Sequence, residues 1–245
     1  MRVRHCGKIG DVIYCMAAMK RLRGFSGQKI DLLLDGYHLS ESAIAALKPL
    51  LESQEYIASV SDDDGAPCEV DFKEWLLLHY DHRRNVVLSA MEHVRDESEI
   101  LISLDDPATP WLDIDAAANG LTLVNWTGRH LNEDTEVRID WSPIVNAHPG
   151  ARFIGLQEDH ALFTTTFGVD LPFEQTENLL DTARLIKGCT LFIGNQSSPL
   201  AIAHGLAKQV IVETAEQNPN CIFRGRGSEY FGVSQKTIED FGVDT

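Results

Sequence analysis

Two glycine-containing loops in the sequence join a strand-like run to a helical run and carry polar side chains. The first is GKIGDV at 7–12, where Gly10 and Asp11 precede the helical stretch. Glycine permits a tight turn, and the N–H groups at a helix start are exposed to an anion. An Asp there commonly caps the helix, and the residues alone leave capping and a functional role equally open. The spacing is neither GxGxxG nor Walker A, so it is a weak signal for nucleotide binding.

The second loop lies in FIGNQSSPLAIAHGLAKQVIVE at 192–213. A strand is predicted to run into Gly194, and Pro199 suits the first turn of the helix that follows. Between them stand four polar residues, Asn195, Gln196, Ser197 and Ser198. Their hydroxyls and the free N–H groups would face an anion under the helix dipole, although an ordinary serine-capped helix has the same pattern. GNQSS lacks the GxSxG spacing of a nucleophile elbow, which argues against a serine hydrolase.

A third set of polar residues follows two further predicted strands. Thr127, Arg129 and His130 come after the strand at 121–126, and Glu158 comes after RFIGL. Arg129 could bind a phosphate with two parallel hydrogen bonds, while Glu158 could accept hydrogen bonds from a base or ribose. Each residue alone fits a solvated surface charge. Their position at successive strand ends favours a binding role.

Acidic runs at 62–64 and 113–115 fit the DxD pattern that binds a divalent metal and a nucleotide in some glycosyltransferases. Neither run follows a clear buried strand, so we interpret both as solvated connections. The five cysteines are scattered, which predicts neither a disulfide framework nor a zinc knuckle. His5 and Cys6 have no second ligand pair at zinc spacing. No metal site is predicted.

Alternating strand and helix patterns must position these loops. The first part predicts strands at 3–6 and 29–35 and helices at 12–23 and 40–53, then a strand-like run at 75–80 and a helix at 84–97. Parallel strands need crossover connections, so this alternation predicts an α/β fold with a parallel sheet.

The alternation restarts after a stretch rich in proline and aspartate at 104–119. The second part predicts strands at 121–126, 152–156, near 170, 189–194 and 209–213, with helices at 158–167, 177–187 and 199–207 and a helical or turn stretch at 141–148. We therefore predict two Rossmann-like halves, residues 1–118 and 119–245, with a cleft between them. Ligands would lie at the carboxyl ends of the strands.

Composition narrows the class of partner. The chain has 245 residues, 44% of them hydrophobic, and a formal net charge of -16. That charge repels phosphate backbones and anionic lipid, so we expect neither non-specific nucleic-acid binding nor attachment to membranes by a basic surface. No apolar stretch approaches the roughly 20 residues of a transmembrane helix, and no secretory signal is recognisable. We expect a cytoplasmic protein.

The two loops together resemble the heptosyltransferase-type glycosyltransferases of family 9, which have the GT-B fold. The similarity is carried by GKIGDVIYCMAAMKRLR and by ENLLDTARLIKGCTLFIGNQSSPLAIAHGLAKQVIV. It covers roughly the first 35 residues and residues 120–215. Three positions depart from the family pattern: its usual Asp is Gln196, its Gly is Ser198, and its His on the following helix is Ala201.

The resemblance implies that the chain transfers a sugar from a nucleotide donor with inversion, without a metal or other cofactor. It implies that Asp11 is the catalytic base, which deprotonates the acceptor hydroxyl. It also implies that residues 195–198 hold the diphosphate or the donor sugar. Two alternatives stay open, a nucleotide-sugar epimerase or hydrolase on the same scaffold, and a binding protein that has lost the chemistry.

Overall fold

The computed structural model describes residues 1–98, 109–129, 139–223 and 227–241. The first part of the chain alternates strands with helices, and a π-helical turn at Trp75–His79 extends its third helix. Its elements are β1 (Arg2–His5), α1 (Ile9–Ser26), β2 (Ile30–Leu34), α2 (Glu41–Glu52), β3 (Ile57–Asp62), β4 (Val70–Asp71), α3 (Phe72–Glu74) and α4 (Val86–Ser98).

The second part repeats the alternation after residue 120. Its elements are β5 (Thr122–Asn125), α5 (Ser142–Asn146), β6 (Arg152–Ile154), α6 (Gln157–Phe167), β7 (Phe173–Glu174), α7 (Leu179–Gly188), β8 (Leu191–Asn195), α8 (Ser198–Gly205), β9 (Val210–Glu213), β10 (Glu229–Phe231) and α9 (Gln235–Phe241).

These strands form two sheets, ordered β3-β2-β1-β4 and β10-β9-β8-β5-β6-β7. Every ladder within the described ranges is parallel, which confirms the predicted α/β fold with two parallel sheets. The strand order reverses between β1 and β4 in the first sheet and between β5 and β8 in the second. Crevices that bind ligands form at such reversal points, outside the carboxyl ends of the strands.

Helix α1 is buried on nearly all sides, from Val12 to Met19. A helix of this kind needs apolar partners all round. It packs against α4 of its own half and against α8 of the other half. We call the contact of α1 with α8 the seam. One hydrophobic cluster extends through it from Val3 in β1 to Val212 in β9, so the two sheets share a core.

The middle of the first half was predicted least well. The strand predicted at 75–80 is wrong, because Trp75–His79 is a π-helical turn. A short apolar run fits a strand or a buried helical segment equally, and here the Trp75 indole N–H donates to Ser89 of α4, with the two atoms 2.9 Å apart. The sequence analysis missed β3, β4, β10 and α9, and the strand expected near residue 170 is β7.

Among the helices in the described ranges, none combines the length and apolar character needed to cross a membrane.

Candidate active site

Asp11 is the third residue of α1 and lies just beyond the carboxyl end of β1. The helix begins at Ile9 with Lys8 as its N-cap, so Asp11 is not the N-cap that the capping interpretation expected. Its Oδ2 nevertheless accepts a hydrogen bond from the backbone N–H of Lys8, with the two atoms 3.1 Å apart. This bond satisfies one free donor at the helix start and fixes the orientation of the carboxylate.

The loop closes tightly around Asp11 because residue 7 is glycine. A Cβ added at Gly7 would lie 2.8 Å from the Cβ of Asp11 and 2.6 Å from Cε1 of His5. The Gly7 N–H donates to Nδ1 of the buried His5, with the two atoms 2.9 Å apart. Burial lowers the pKa of His5 to about 3, so the ring stays neutral and keeps the lone pair that this bond requires.

The surroundings of Asp11 act on its charge in opposite directions. Burial raises the pKa of Asp11, while the N–H and the charge of Lys8, and then His38 and His82, lower it. His38 follows β2 and His82 precedes α4, so two loops of the first half bring basic groups towards the carboxylate. Burial is the largest effect, and a carboxylate with a raised pKa is a stronger base.

Tyr80 connects this site to the second half, and the sequence analysis did not single it out. Its phenol oxygen accepts a hydrogen bond from the side-chain amide of Asn220, which follows β9. Burial raises the pKa of Tyr80, and the charge of Asp11 raises it further. The sequence carries only a weak signal for a functional role of Tyr80, because a tyrosine at the end of an apolar run most often belongs to the core.

The start of α8 meets the start of α1. Gly10 faces the backbone carbonyl of Ser197, which would be 4.0 Å from a Cβ added at residue 10. Ser197 is the N-cap of α8 and accepts a hydrogen bond from the N–H of Leu200, with 3.3 Å between the atoms. The helix begins at Ser198, and Pro199 lies in its first turn, as predicted. Two helix N-termini, each favouring negative charge, therefore converge where the two sheets meet.

Gly194 and Asn195 join the carboxyl ends of β8 and β5, the two strands between which the order of the second sheet reverses. The buried side chain of Asn195 donates to the carbonyl of Thr127 at 2.8 Å and accepts from the N–H of Thr127 at 3.0 Å. A Cβ at Gly194 would lie 3.0 Å from the carbonyl of Asn125, so glycine allows the close approach to β5. Both residues position the loops, and direct contact of either with a donor stays a prediction.

The side-chain amide of Gln196 is also used in hydrogen bonds within the protein. Its amide nitrogen donates to the carbonyl of Asn218 and to the side chain of Asn220, with distances of 2.8 and 3.1 Å. Its amide oxygen accepts from the N–H of Ala215 at 3.3 Å. The side chain therefore holds the loop after β9 against the start of α8. Together with Asn220 it links the second half to Tyr80 in the first.

Thr127 and Arg129 form a polar group with Asp159, a residue that sequence reasoning missed. The guanidinium Nε of Arg129 donates to the Thr127 hydroxyl across 3.4 Å. Burial raises the pKa of Asp159, while Arg129 and a hydrogen bond with Thr127 lower it. The predicted Glu158 is exposed at the first turn of α6, and its neighbour Asp159 is the acid that reaches Thr127. His130 lies outside the described residues.

The acidic runs at 62–64 and 113–115 form contacts with other parts of the protein. Asp63 and Asp64 form ion pairs with Arg4 and Arg2, with atoms 2.9 and 2.6 Å apart. Asp113 lies in the connection between the two halves, where its N–H donates to Gln54 at 2.8 Å. Within the described ranges, no three His, Cys, Asp or Glu side chains cluster closely enough to hold a metal ion.

Comparisons with known proteins identify the fold. No family model and no curated protein matches the sequence. Among solved structures, the E. coli heptosyltransferase WaaC with ADP-2-deoxy-2-fluoro heptose is similar at a TM-score of 0.60 and 12% identity, over 94% of this chain and 92% of that one.

Two further solved structures are similar over nearly the whole chain. A family 9 glycosyl transferase from Veillonella parvula has a TM-score of 0.61 and 12% identity, covering 100% of this chain and 85% of the other. The E. coli ADP-heptose lps heptosyltransferase II has a TM-score of 0.60 and 13% identity, covering 98% of this chain and 96% of the other. The chain therefore has the two-sheet α/β fold of these glycosyltransferase structures, as the resemblance implied.

Proposed function

We propose that this chain is a glycosyltransferase that moves a hexosyl or heptosyl group from a nucleotide-sugar donor to an acceptor hydroxyl. One observation carries the proposal: Asp11 follows Gly10, which faces the Ser197 carbonyl, so a carboxylate in the first turn of α1 lies near the start of α8 in a fold shared with heptosyltransferases. One of those solved structures contains ADP-2-deoxy-2-fluoro heptose, a nucleotide sugar.

In this proposal the diphosphate of the donor lies against the N-terminus of α8. Free backbone N–H groups and the helix dipole favour an anion there, and Ser198 adds a hydroxyl. Arg129 is exposed beyond the carboxyl end of β5, where its guanidinium can reach a phosphate. Glu158 and Asp159 at the start of α6 can accept hydrogen bonds from the ribose or base.

The acceptor side belongs to Asp11. The acceptor hydroxyl gives its proton to the Asp11 carboxylate as its oxygen attacks the anomeric carbon of the donor. The bond from that carbon to the diphosphate oxygen breaks, and the nucleoside diphosphate leaves with the electron pair. Attack from the opposite face inverts the anomeric configuration. The dipole of α8 stabilises the charge that develops on the leaving group, so the reaction is proposed to need no metal.

The alternative function of non-catalytic nucleotide or sugar binding is favoured by residues 196 and 201. Gln196 stands where the family has an Asp, and its amide is used to hold the loop after β9. Ala201 stands where the family has a His, and it is fully buried in α8. A nucleotide-sugar epimerase or hydrolase on the same scaffold would use the same donor contacts.

A screen for bound donors tests the proposal first. Thermal unfolding is followed with a panel of nucleotides and nucleotide sugars, because a ligand at 100 times its Kd adds about 2.7 kcal/mol to the free energy of unfolding. The stabilising donor is then incubated with candidate acceptors, and nucleoside diphosphate release is measured with and without acceptor. Release only with acceptor supports transfer, and release without acceptor supports a hydrolase. Binding with no release supports the binding protein if the donor is recovered unchanged, and an epimerase if its sugar is converted to an epimer. No stabilisation by any nucleotide or nucleotide sugar contradicts all of these functions.

A further inference from the structure

A buried hydrogen bond joins the two helices that carry the site. The hydroxyl of Tyr14 in α1 lies 2.9 Å from Nδ1 of His204 in α8. Both side chains are buried within the seam, with exposed fractions of 7% and 2%. Burial raises the pKa of Tyr14 well above its usual value, so the hydroxyl keeps its proton at every physiological pH.

Aromatic packing holds this pair in place. Phe223 stacks on Tyr14 with ring centroids 6.1 Å apart and planes 21° apart, and it contacts His204 with centroids 4.6 Å apart. Aromatic pairs at such distances add stability beyond the area they bury. The hydrogen bond therefore forms between two side chains that a third ring immobilises.

The positions of the pair relate it to the chemistry. Tyr14 follows Asp11 by three residues, about 4.5 Å along the axis of α1, and His204 follows Ser197 by seven residues, about 10 Å along α8. Neither side chain is at the helix starts where donor and acceptor would meet. The bond instead links α1 directly to α8 beyond those starts, so it can restrain sliding or turning of one helix relative to the other.

We propose that Tyr14 and His204 are positioning residues that set the distance between the catalytic base and the donor diphosphate; this rests on the function proposed above. Reacting groups must be held within a narrow range, and a displacement of about 1 Å can cost 100-fold in rate. Loss of the bond leaves the apolar packing of the seam and each binding surface in place, but it removes a directional contact that aligns the two surfaces.

The test is the Tyr14→Phe variant, which removes the hydroxyl and keeps the ring that packs on Phe223. Tyr56→Phe is the control for loss of a buried phenol hydroxyl, because the Tyr56 hydroxyl donates to the carbonyl of Trp111 at 2.7 Å. Trp111 packs beside Tyr14 and its backbone N–H donates to Gly205 at the far end of α8, so the variant disturbs the same seam but keeps the hydrogen bond between Tyr14 and α8. We expect Tyr14→Phe to lower kcat about 10- to 100-fold while the Kd for the nucleotide changes less than about twofold. Tyr56→Phe should keep the wild-type kcat.

A second measurement needs no activity. Amide hydrogen exchange at the hydrogen-bonded N–H groups of α1 from Val12 onward, and of α8 from Ala201 onward, should be several-fold faster in Tyr14→Phe than in Tyr56→Phe, compared at equal distance from each variant's Tm. Wild-type kcat in Tyr14→Phe, or an equal loss in Tyr56→Phe, would overturn the positioning role. If the wild-type protein transfers no sugar from any donor, the proposed function fails. In that case the exchange rates alone test whether the Tyr14–His204 bond couples α1 to α8, and equal rates in the two variants refute that coupling.

Discussion

At the scale of single residues, the Asp11 carboxylate is held in a site that disfavours its own charge. Burial outweighs the Lys8 N–H bond and the nearby basic groups, so the pKa is raised in the folded state. Between the unfolded and folded pKa values the folded state therefore binds more protons. Stability falls as the pH rises through that window, and above it the ionised carboxylate destabilises the fold by a constant amount.

Asp11→Asn should therefore be at least as stable as the wild type at neutral pH. The amide keeps an oxygen that can accept from the Lys8 N–H but carries no buried charge. The Tm difference between variant and wild type should grow as the pH rises from below the unfolded pKa, then level off. Melting curves between pH 3 and pH 8 measure it. If Asp11 served only the helix start, Asp11→Ala would instead lose about 1 kcal/mol and Asp11→Asn would remain fully active.

Ser197 and Ser198 allow a test of the donor site. Replacing both by Ala should weaken nucleotide binding by about 1 to 3 kcal/mol, through the loss of two hydrogen bonds to a charged group. Titration calorimetry with the nucleotide from the screen measures the affinity. Ser40→Ala is the matched control, since Ser40 caps α2 by accepting from Ala43 at 3.2 Å, so it should cost similar stability without loss of affinity. Unchanged affinity in the double variant would remove these serines from the site.

Sequence reasoning singled out Asp11 and residues 195–198 as candidates because glycine and proline mark their loops, and the resemblance to family 9 supplied their expected roles. It missed Tyr80 and Asp159, whose roles depend on partners far along the chain, Asn220 and Thr127. Spacing within one loop reveals a helix start, but it does not reveal which loop of another strand lies opposite.

At the scale of elements, the loop between β1 and α1 requires glycine at residue 7, because there is no space for a side chain there. Gly7→Ala should lower both Tm and turnover, because its Cβ would collide with Asp11 and His5. Thermal melts and nucleoside diphosphate release measure the two effects. Gly24→Ala in the same helix is the control: its Cβ would meet nothing within 4 Å, so it should stabilise α1 by about 0.5 to 1 kcal/mol. Equal Tm in the two variants would contradict this account of the loop.

The alternation of strands and helices was predictable where the apolar runs are long. Strand β2 reads IDLLL and is buried for four of its five residues, so its identity is plain from the sequence. Strand β4 has two residues, and β3 buries only every third side chain, so neither has the period-two pattern of a half-buried strand. Short elements of this kind are fixed by pairing with a neighbour.

At the scale of the whole molecule, the shared core through the seam predicts one cooperative unfolding transition. The cluster that includes α1 and α8 extends into both sheets, so unfolding of either half exposes apolar surface of the other. The calorimetric enthalpy should equal the van't Hoff enthalpy, and circular dichroism and tryptophan fluorescence should give the same Tm. Two separated transitions would show instead that the halves, divided near residue 118 as the sequence predicts, unfold independently.

The central claim is that Asp11 is the base of a sugar transfer, and turnover of Asp11→Asn tests it most directly. With the donor and acceptor found by screening, we expect kcat to fall about 10²- to 10⁴-fold, the usual contribution of a positioned base. The Kd for the nucleotide should be unchanged, because the proposed role of Asp11 is contact with the acceptor and not with the nucleotide. Full turnover by Asp11→Asn would contradict the assignment.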